Sequence, residues 1–96
     1  MTKLTVIADI YAEKDQIERV KQALIGLIEP TKQEAGCLDY ELHQDNQAPS
    51  HFIFYENWAS FEAWQDHMQS EHIRQFGEKT QGLIESANIH QMTHLE

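Results

Sequence analysis

The chain has 96 residues, 41% of them hydrophobic, and a formal charge of −9 from 16 acids against 7 bases. That length makes one domain, with a thin core that buries only about 60–70% of the unfolded surface. The acidic balance, without any basic cluster, argues against nucleic acid or an anionic membrane as partner. No apolar run approaches the roughly 20 residues of a membrane span.

The opening MTKLTVIADIYAEKD lacks the charged-then-apolar-then-small layout of a signal peptide. A cytoplasmic location is expected. Leu4 to Tyr11 alternates, with Leu4, Val6, Ala8 and Ile10 on one face and Thr5, Ile7, Asp9 and Tyr11 on the other. Ile7 and Tyr11 keep that second face partly apolar, so this strand is expected to be covered on both sides. Ile17, Val20, Leu24, Leu27 and Ile28 then recur at helical spacing behind Asp15, a candidate N-cap. Pro30 kinks this helix or restarts it in a first turn, with Thr31 to Ala35 as the last helical piece. Gly36 suits a left-handed cap.

Cys37 to Gln44 reads as a second strand, with Leu38, Tyr40 and Leu42 on one face. As the only cysteine, Cys37 has no internal disulfide partner and reads as a small half-buried residue. Asp45 to Ser50 is a turn by composition. His51 to Trp58 is a third strand, with Phe52, Phe54, Glu56 and Trp58 facing one way and Ile53, Tyr55 and Asn57 the other. Ser60 and Ser70 cap two short helices, Phe61 to Met68 and Glu71 onward, and Phe61, Trp64 and Met68 lie at core spacing. Leu83 and Ile84 read as a helical tail, and Ala87 to Leu95 as a last strand. The order β-α-β-β-α-β is that of an α+β ferredoxin-like plait, an antiparallel sheet with helices on one face. The other face carries Ile, Tyr and Phe residues that need cover, which favours a homodimer.

The polar groups with chemical potential cluster between Gly36 and Phe76. His67 and His72 would point roughly 140° apart on one continuous helix, too far for a shared metal face. Ser70 is expected to break that helix, so both can still turn inward, but no metal is expected. Glu56 is an acid among Phe54 and Trp58, either a strand-end carboxylate reaching a backbone amide or a cross-sheet partner, or a group acting in catalysis. Trp58 and Trp64 read as core or as ligand platforms. No Gly-rich phosphate loop and no nucleophile triad is present.

The stretches GCLDYELHQD and FIFYENWASFEAWQDHMQSEHIRQF resemble the antibiotic biosynthesis monooxygenase family of dimeric α/β-barrel proteins. The resemblance is carried by Gly36-Cys37, Tyr55-Glu56-Asn57-Trp58, Ser60 with Ala63 and His67, and Ser70 with His72 and Phe76. It implies a plait that dimerises through its sheet, with a pocket between sheet and helices. It also implies oxidation of a quinol or related electron-rich aromatic by dioxygen, without flavin, metal or haem. His67 and His72 are then the catalytic candidates, and Glu56, Trp58, Trp64 and Phe76 the substrate-binding ones. Haem-degrading relatives need residues at positions that hold Asp9, His67 and Gly77 here, so haem degradation is not expected. Alternatives within the same fold are an isomerase or processing enzyme for a phosphorylated signalling sugar derived from autoinducer-2, or a non-catalytic ligand-binding module.

Overall fold

The computed structural model describes residues 3–96; Met1 and Thr2, the start of the stretch read for a leader, lie outside it. The elements run β1 (Leu4–Ala12), α1 (Ile17–Ile25), α2 (Ile28–Lys32), β2 (Cys37–Gln44), β3 (His51–Trp58), α3 (Phe61–Met68), α4 (Glu71–Lys79) and β4 (Ile84–Met92). The strands form one antiparallel sheet in the order β2-β3-β1-β4. This is the expected ferredoxin-like plait, with each crossover helix broken into two pieces.

Both breaks have local causes. Pro30 sits in the first turn of α2, where its missing N–H would have had no helical partner. Helix α2 therefore begins before Pro30 and ends at Lys32, earlier than the Thr31 to Ala35 segment expected. Between α3 and α4, the Ser70 hydroxyl accepts from the Ile73 N–H at 3.4 Å, as the Ser60 hydroxyl does from Ala63 at 3.1 Å. Both serine caps are as expected. Asp15 is not one: Gln16 occupies the N-cap of α1, without a side-chain cap bond.

Pairing register explains which side chains meet. Val6 and Tyr40 flank Glu56, while Ala8 and Leu42 flank Phe54, so these residues share the helix-covered face. Val6, Ile10, Val20, Leu24, Leu27, Tyr40, Phe52, Phe54 and Trp58 form its buried core. The register slips between Cys37 and Asp39, making Leu38 the extra residue. It is 53% exposed, and does not join Tyr40 and Leu42 in the core. At the far end, Gly82 (φ 79°) makes the turn that feeds Ile84 directly into β4. The helical tail expected at Leu83 and Ile84 is thus a turn and a strand start, and β4 closes at Met92 rather than Leu95.

The opposite face carries no helix. Asn57 is nonetheless buried there, because Thr5 donates to its Oδ1 at 2.6 Å and its Nδ2 donates to Asp39 at 3.0 Å and the Tyr55 hydroxyl at 3.0 Å. Further along, Tyr11 stacks on His51 at 4.2 Å, and His51 is paired with Asp9 and Asp45. Ile7 and Ile53 are half-buried and Tyr55 is exposed on the same face. Among the described residues, no helix is long and apolar enough to cross a membrane.

Candidate functional site

A cavity of about 140 Å³ lies between the sheet and helices α1, α3 and α4. Its floor contains Ala8 on β1 and Ala87 on β4, whose short side chains leave space beside Phe54. Leu24 and Leu27 close one side, and Ile73 and Phe76 another. Among the described residues, its only polar side chains belong to Tyr40, Glu56 and His67. An apolar cleft with a few convergent polar groups is the usual form of a small-molecule site.

Helix α3 aims His67 into that cavity. Phe61 and Met68, placed at core spacing by sequence, are 42% and 36% exposed, whereas His67 is 2% exposed and the only buried residue of the helix. The imidazole lies 4.7 Å from the Trp58 ring and 5.5 Å from the Tyr40 ring, centroid to centroid. Its Nδ1 is 2.9 Å from Oε2 of Glu34. Burial pulls the His67 pKa below the ordinary histidine value, against the opposing Glu34 carboxylate, so the neutral ring is favoured at pH 7.

Glu56 is 4% exposed. The Trp58 indole N–H donates to its Oε1 at 2.9 Å. Burial pushes its carboxyl up to about 7; the Trp58 bond acts the other way and the Glu34 charge adds to the rise. Burial, reinforced by Glu56, moves the Tyr40 phenol well above its usual range, so it stays protonated. A neutral imidazole, a carboxyl balanced near neutrality and a phenol donor therefore face one apolar space. Such a set can take up, hold and return protons on a bound small molecule.

The remaining candidates are placed differently. Phe76 lines the cavity, but Trp58 and Trp64 do not. Trp58 stands behind it as the partner of Glu56 and His67, and Trp64 packs 5.8 Å from Phe61. His72 lies in an outer groove with Glu34, its Nε2 2.6 Å from the same Oε2 that meets His67. The helix break at Ser70 thus turns both histidines onto one carboxylate. Donor atoms of Glu34, His67 and His72 lie within 4.8 Å of one another, the set a transition metal would use. Their contacts of 2.9 and 2.6 Å are hydrogen-bond distances, tighter than the roughly 3.3 Å between ligands of a tetrahedral zinc ion.

Glu34 and Tyr40 were missed by sequence reasoning. Tyr40 carried a signal, since its inward parity matched Glu56. Glu34 carried none, lying in a polar connection without periodicity. Burial, then Glu34, Glu56 and Asp39, push the Cys37 thiol up to about 11, which favours the protonated, less reactive form.

PA3566 of Pseudomonas aeruginosa is 34% identical, aligned over 100% of this chain and 97% of its own, with a TM-score of 0.95. A solved antibiotic biosynthesis monooxygenase is 29% identical over 97% of this chain and 99% of its own, with a TM-score of 0.90. The uncharacterized protein sll1783 of Synechocystis sp. is 28% identical over 81 residues, 84% of this chain and 55% of that protein. The chain therefore spans about half the length of that curated relative. Residues 3–79, which hold Glu34, Tyr40, Glu56, His67 and His72, match the profile of the Antibiotic biosynthesis monooxygenase family. With the plait, the cavity and its polar groups all inside or against that matched span, the chain belongs to the antibiotic biosynthesis monooxygenase family.

Proposed function

We propose that this protein is a cofactor-independent monooxygenase that oxidises a single-ring quinol, or a similar electron-rich phenol, with dioxygen. The observation that carries the reading is His67, 2% exposed in the wall of an otherwise apolar cavity. Size narrows the substrate. An apolar cavity of about 150 Å³ holds benzene, and this one is about 140 Å³, so a single ring fits.

In this reading neutral His67 takes the phenolic proton, and Glu56 and Tyr40 hold the ring oxygens. The electron-rich anion then donates to dioxygen: a ring carbon–oxygen bond forms, the O–O bond breaks, and the second oxygen atom leaves as water. A hydroquinone becomes a hydroxylated quinone without an external reductant. Leu24, Leu27 and Phe76 give that anion an apolar surround.

A phosphorylated signalling metabolite fits less well. Among the described residues no Lys or Arg lines the cavity, and Arg74 is held on the surface by Glu71 and by Glu78 at 2.6 Å. A non-catalytic binding module would share the cavity and differ only in turnover. We place the working protein in the cytoplasm, since Cys37 has no intramolecular partner. We also propose a homodimer through the helix-free sheet face, where Ile7, Ile53 and Tyr55 stand unpaired with any helix. The test is oxygen uptake with a panel of single-ring hydroquinones. Uptake matched to quinone formation supports the oxygenase, and saturable binding without uptake supports the binding module.

A further inference from the structure

Two histidines from different helices, His67 on α3 and His72 on α4, converge on the one carboxylate of Glu34. We propose that Glu34 is the positioning residue for His67, and that His72 clamps Glu34 in place. The inference rests on the oxygenase reading for its kinetic consequence, but not for its structural content.

An ionised carboxylate only accepts hydrogen bonds. Its contact with His67 Nδ1 at 2.9 Å therefore requires the proton on Nδ1, which leaves the Nε2 lone pair as the basic position of the ring. The contact at 2.6 Å requires the same of His72 Nε2. Exposure is graded along this chain: 2% for the His67 side chain, 19% for Glu34 and 22% for His72. A free glutamate on the connection between α2 and β2 would have several rotamers. Held by His72 from α4, it has one, and it then fixes the ring on α3. The remaining groups around His67 are Glu56 and Trp58 on β3 and Tyr40 on β2; Trp58 and Tyr40 meet the ring only face or edge on. Among the described residues, Glu34 is the one charged group hydrogen-bonded to it. Holding an imidazole in one tautomer through an acceptor behind it is a general way to make a base, and losing that acceptor elsewhere costs up to about 10⁴ in rate.

The test is long-range proton–nitrogen correlation on the ¹⁵N-histidine-labelled full chain, with Glu34→Gln beside the wild type. At pH 8 the wild-type His67 ring should carry its proton on Nδ1. In Glu34→Gln the Nε2-protonated form should appear, and hydroquinone turnover should fall about 10²–10⁴-fold in kcat with KM nearly unchanged. A wild-type ring protonated on Nε2 overturns the proposal, and decides it even if the variant fails to fold. An unchanged tautomer in Glu34→Gln overturns it too. Titration with Zn²⁺ gives another decisive outcome: one ion bound per chain at micromolar affinity, lost in Glu34→Gln, would make the cluster a metal centre instead. If no hydroquinone is turned over while the tautomer still depends on Glu34, the oxygenase reading fails and the positioning role stands.

Discussion

A Cβ placed on Gly36 would stand 2.3 Å from the Cβ of Ala63. The backbone at Gly36 thus lies directly against α3, and its carbonyl accepts the Ala59 N–H at 2.8 Å just before that helix. Glycine is needed here for space. Its backbone is not left-handed, contrary to the cap expected from sequence, since among the described residues Gly82 alone has positive φ. This contact sets the distance between Glu34, two residues before Gly36, and His67, one turn beyond Ala63. Gly36→Ala should therefore destabilise the fold by about 1–3 kcal/mol and separate Glu34 from His67. Ala63→Gly alone should cost about 1 kcal/mol of helix propensity. Urea melts of the two single variants and the pair should show the double losing less than the sum, because Ala63→Gly makes the room that the methyl added by Gly36→Ala needs. Strict additivity would remove the contact from the account.

The second prediction concerns pH. Folded Glu56 has its carboxyl at about 7, against an ordinary 4.5. Below pH 4.5 it is protonated in both states and costs nothing. Between 4.5 and 7 the unfolded chain loses its proton first, so stability falls as pH rises. Above 7 the full cost is reached, about 3 kcal/mol. His67 works in the opposite sense: its lowered value gives stability that is present above 6.5 and lost on acidification. Glu56→Gln keeps His67 and removes the Glu56 contribution. The variant should gain on its parent steadily from pH 5 to pH 8 in denaturant melts. A constant difference across that range would show Glu56 to be an ordinary carboxylate.

The parts legible in the sequence were those with a period. Alternation in β1 and β3 placed Val6, Phe54 and Glu56 on the covered face, and Ser60 and Ser70 announced the two short helices. What was not legible depended on contacts between elements. The spacing of Phe61, Trp64 and Met68 indicated the buried stripe of α3; Trp64 does pack against the core, with His67 carried inward one turn on, but Phe61 and Met68 stay exposed. The close approach of Gly36 to Ala63 accompanies that rotation, and it is a contact that no pattern within α3 encodes. The clustering of Glu34 with His67 and His72 is of the same kind, since their 33- and 38-residue separations are closed only by tertiary packing. β4 alternates without a buried face, and Ile89 and Met92 are each 47% exposed.

The exposure of Met92, on the helix-free side beside Thr5, bears on the third prediction, the homodimer. The helix-free face presents Ile7, Ile53 and Tyr55 along the central strands, and covering them by a second sheet would bury apolar surface at about 25 cal/mol per Å². Sedimentation velocity at micromolar concentration should show a dimer. Ile53→Asp should give a monomer with a lowered melting temperature, because an unpaired carboxylate in the interface costs several kcal/mol. A wild-type monomer at that concentration would end the proposal.

The last prediction is His67→Ala. The side chain is 2% exposed, and its ring fills space between Trp58 and Tyr40. Removing it takes away the neutral nitrogen base of the cavity while leaving the helix-free sheet face untouched. General-base assistance contributes about 10²–10⁴ in rate, so hydroquinone turnover should fall by about that factor while the dimer persists. Stability should also fall, since the deletion leaves a void and frees Glu34 from one of its two partners. Turnover must therefore be measured per folded protein, at a temperature below the variant's transition. His67→Asn separates the two effects. It keeps a polar group for Glu34 and part of the volume, so it should recover stability without recovering rate, because an amide cannot take up the phenolic proton. Equal recovery of both would reduce His67 to a packing residue, and His72→Ala would then be the variant to measure.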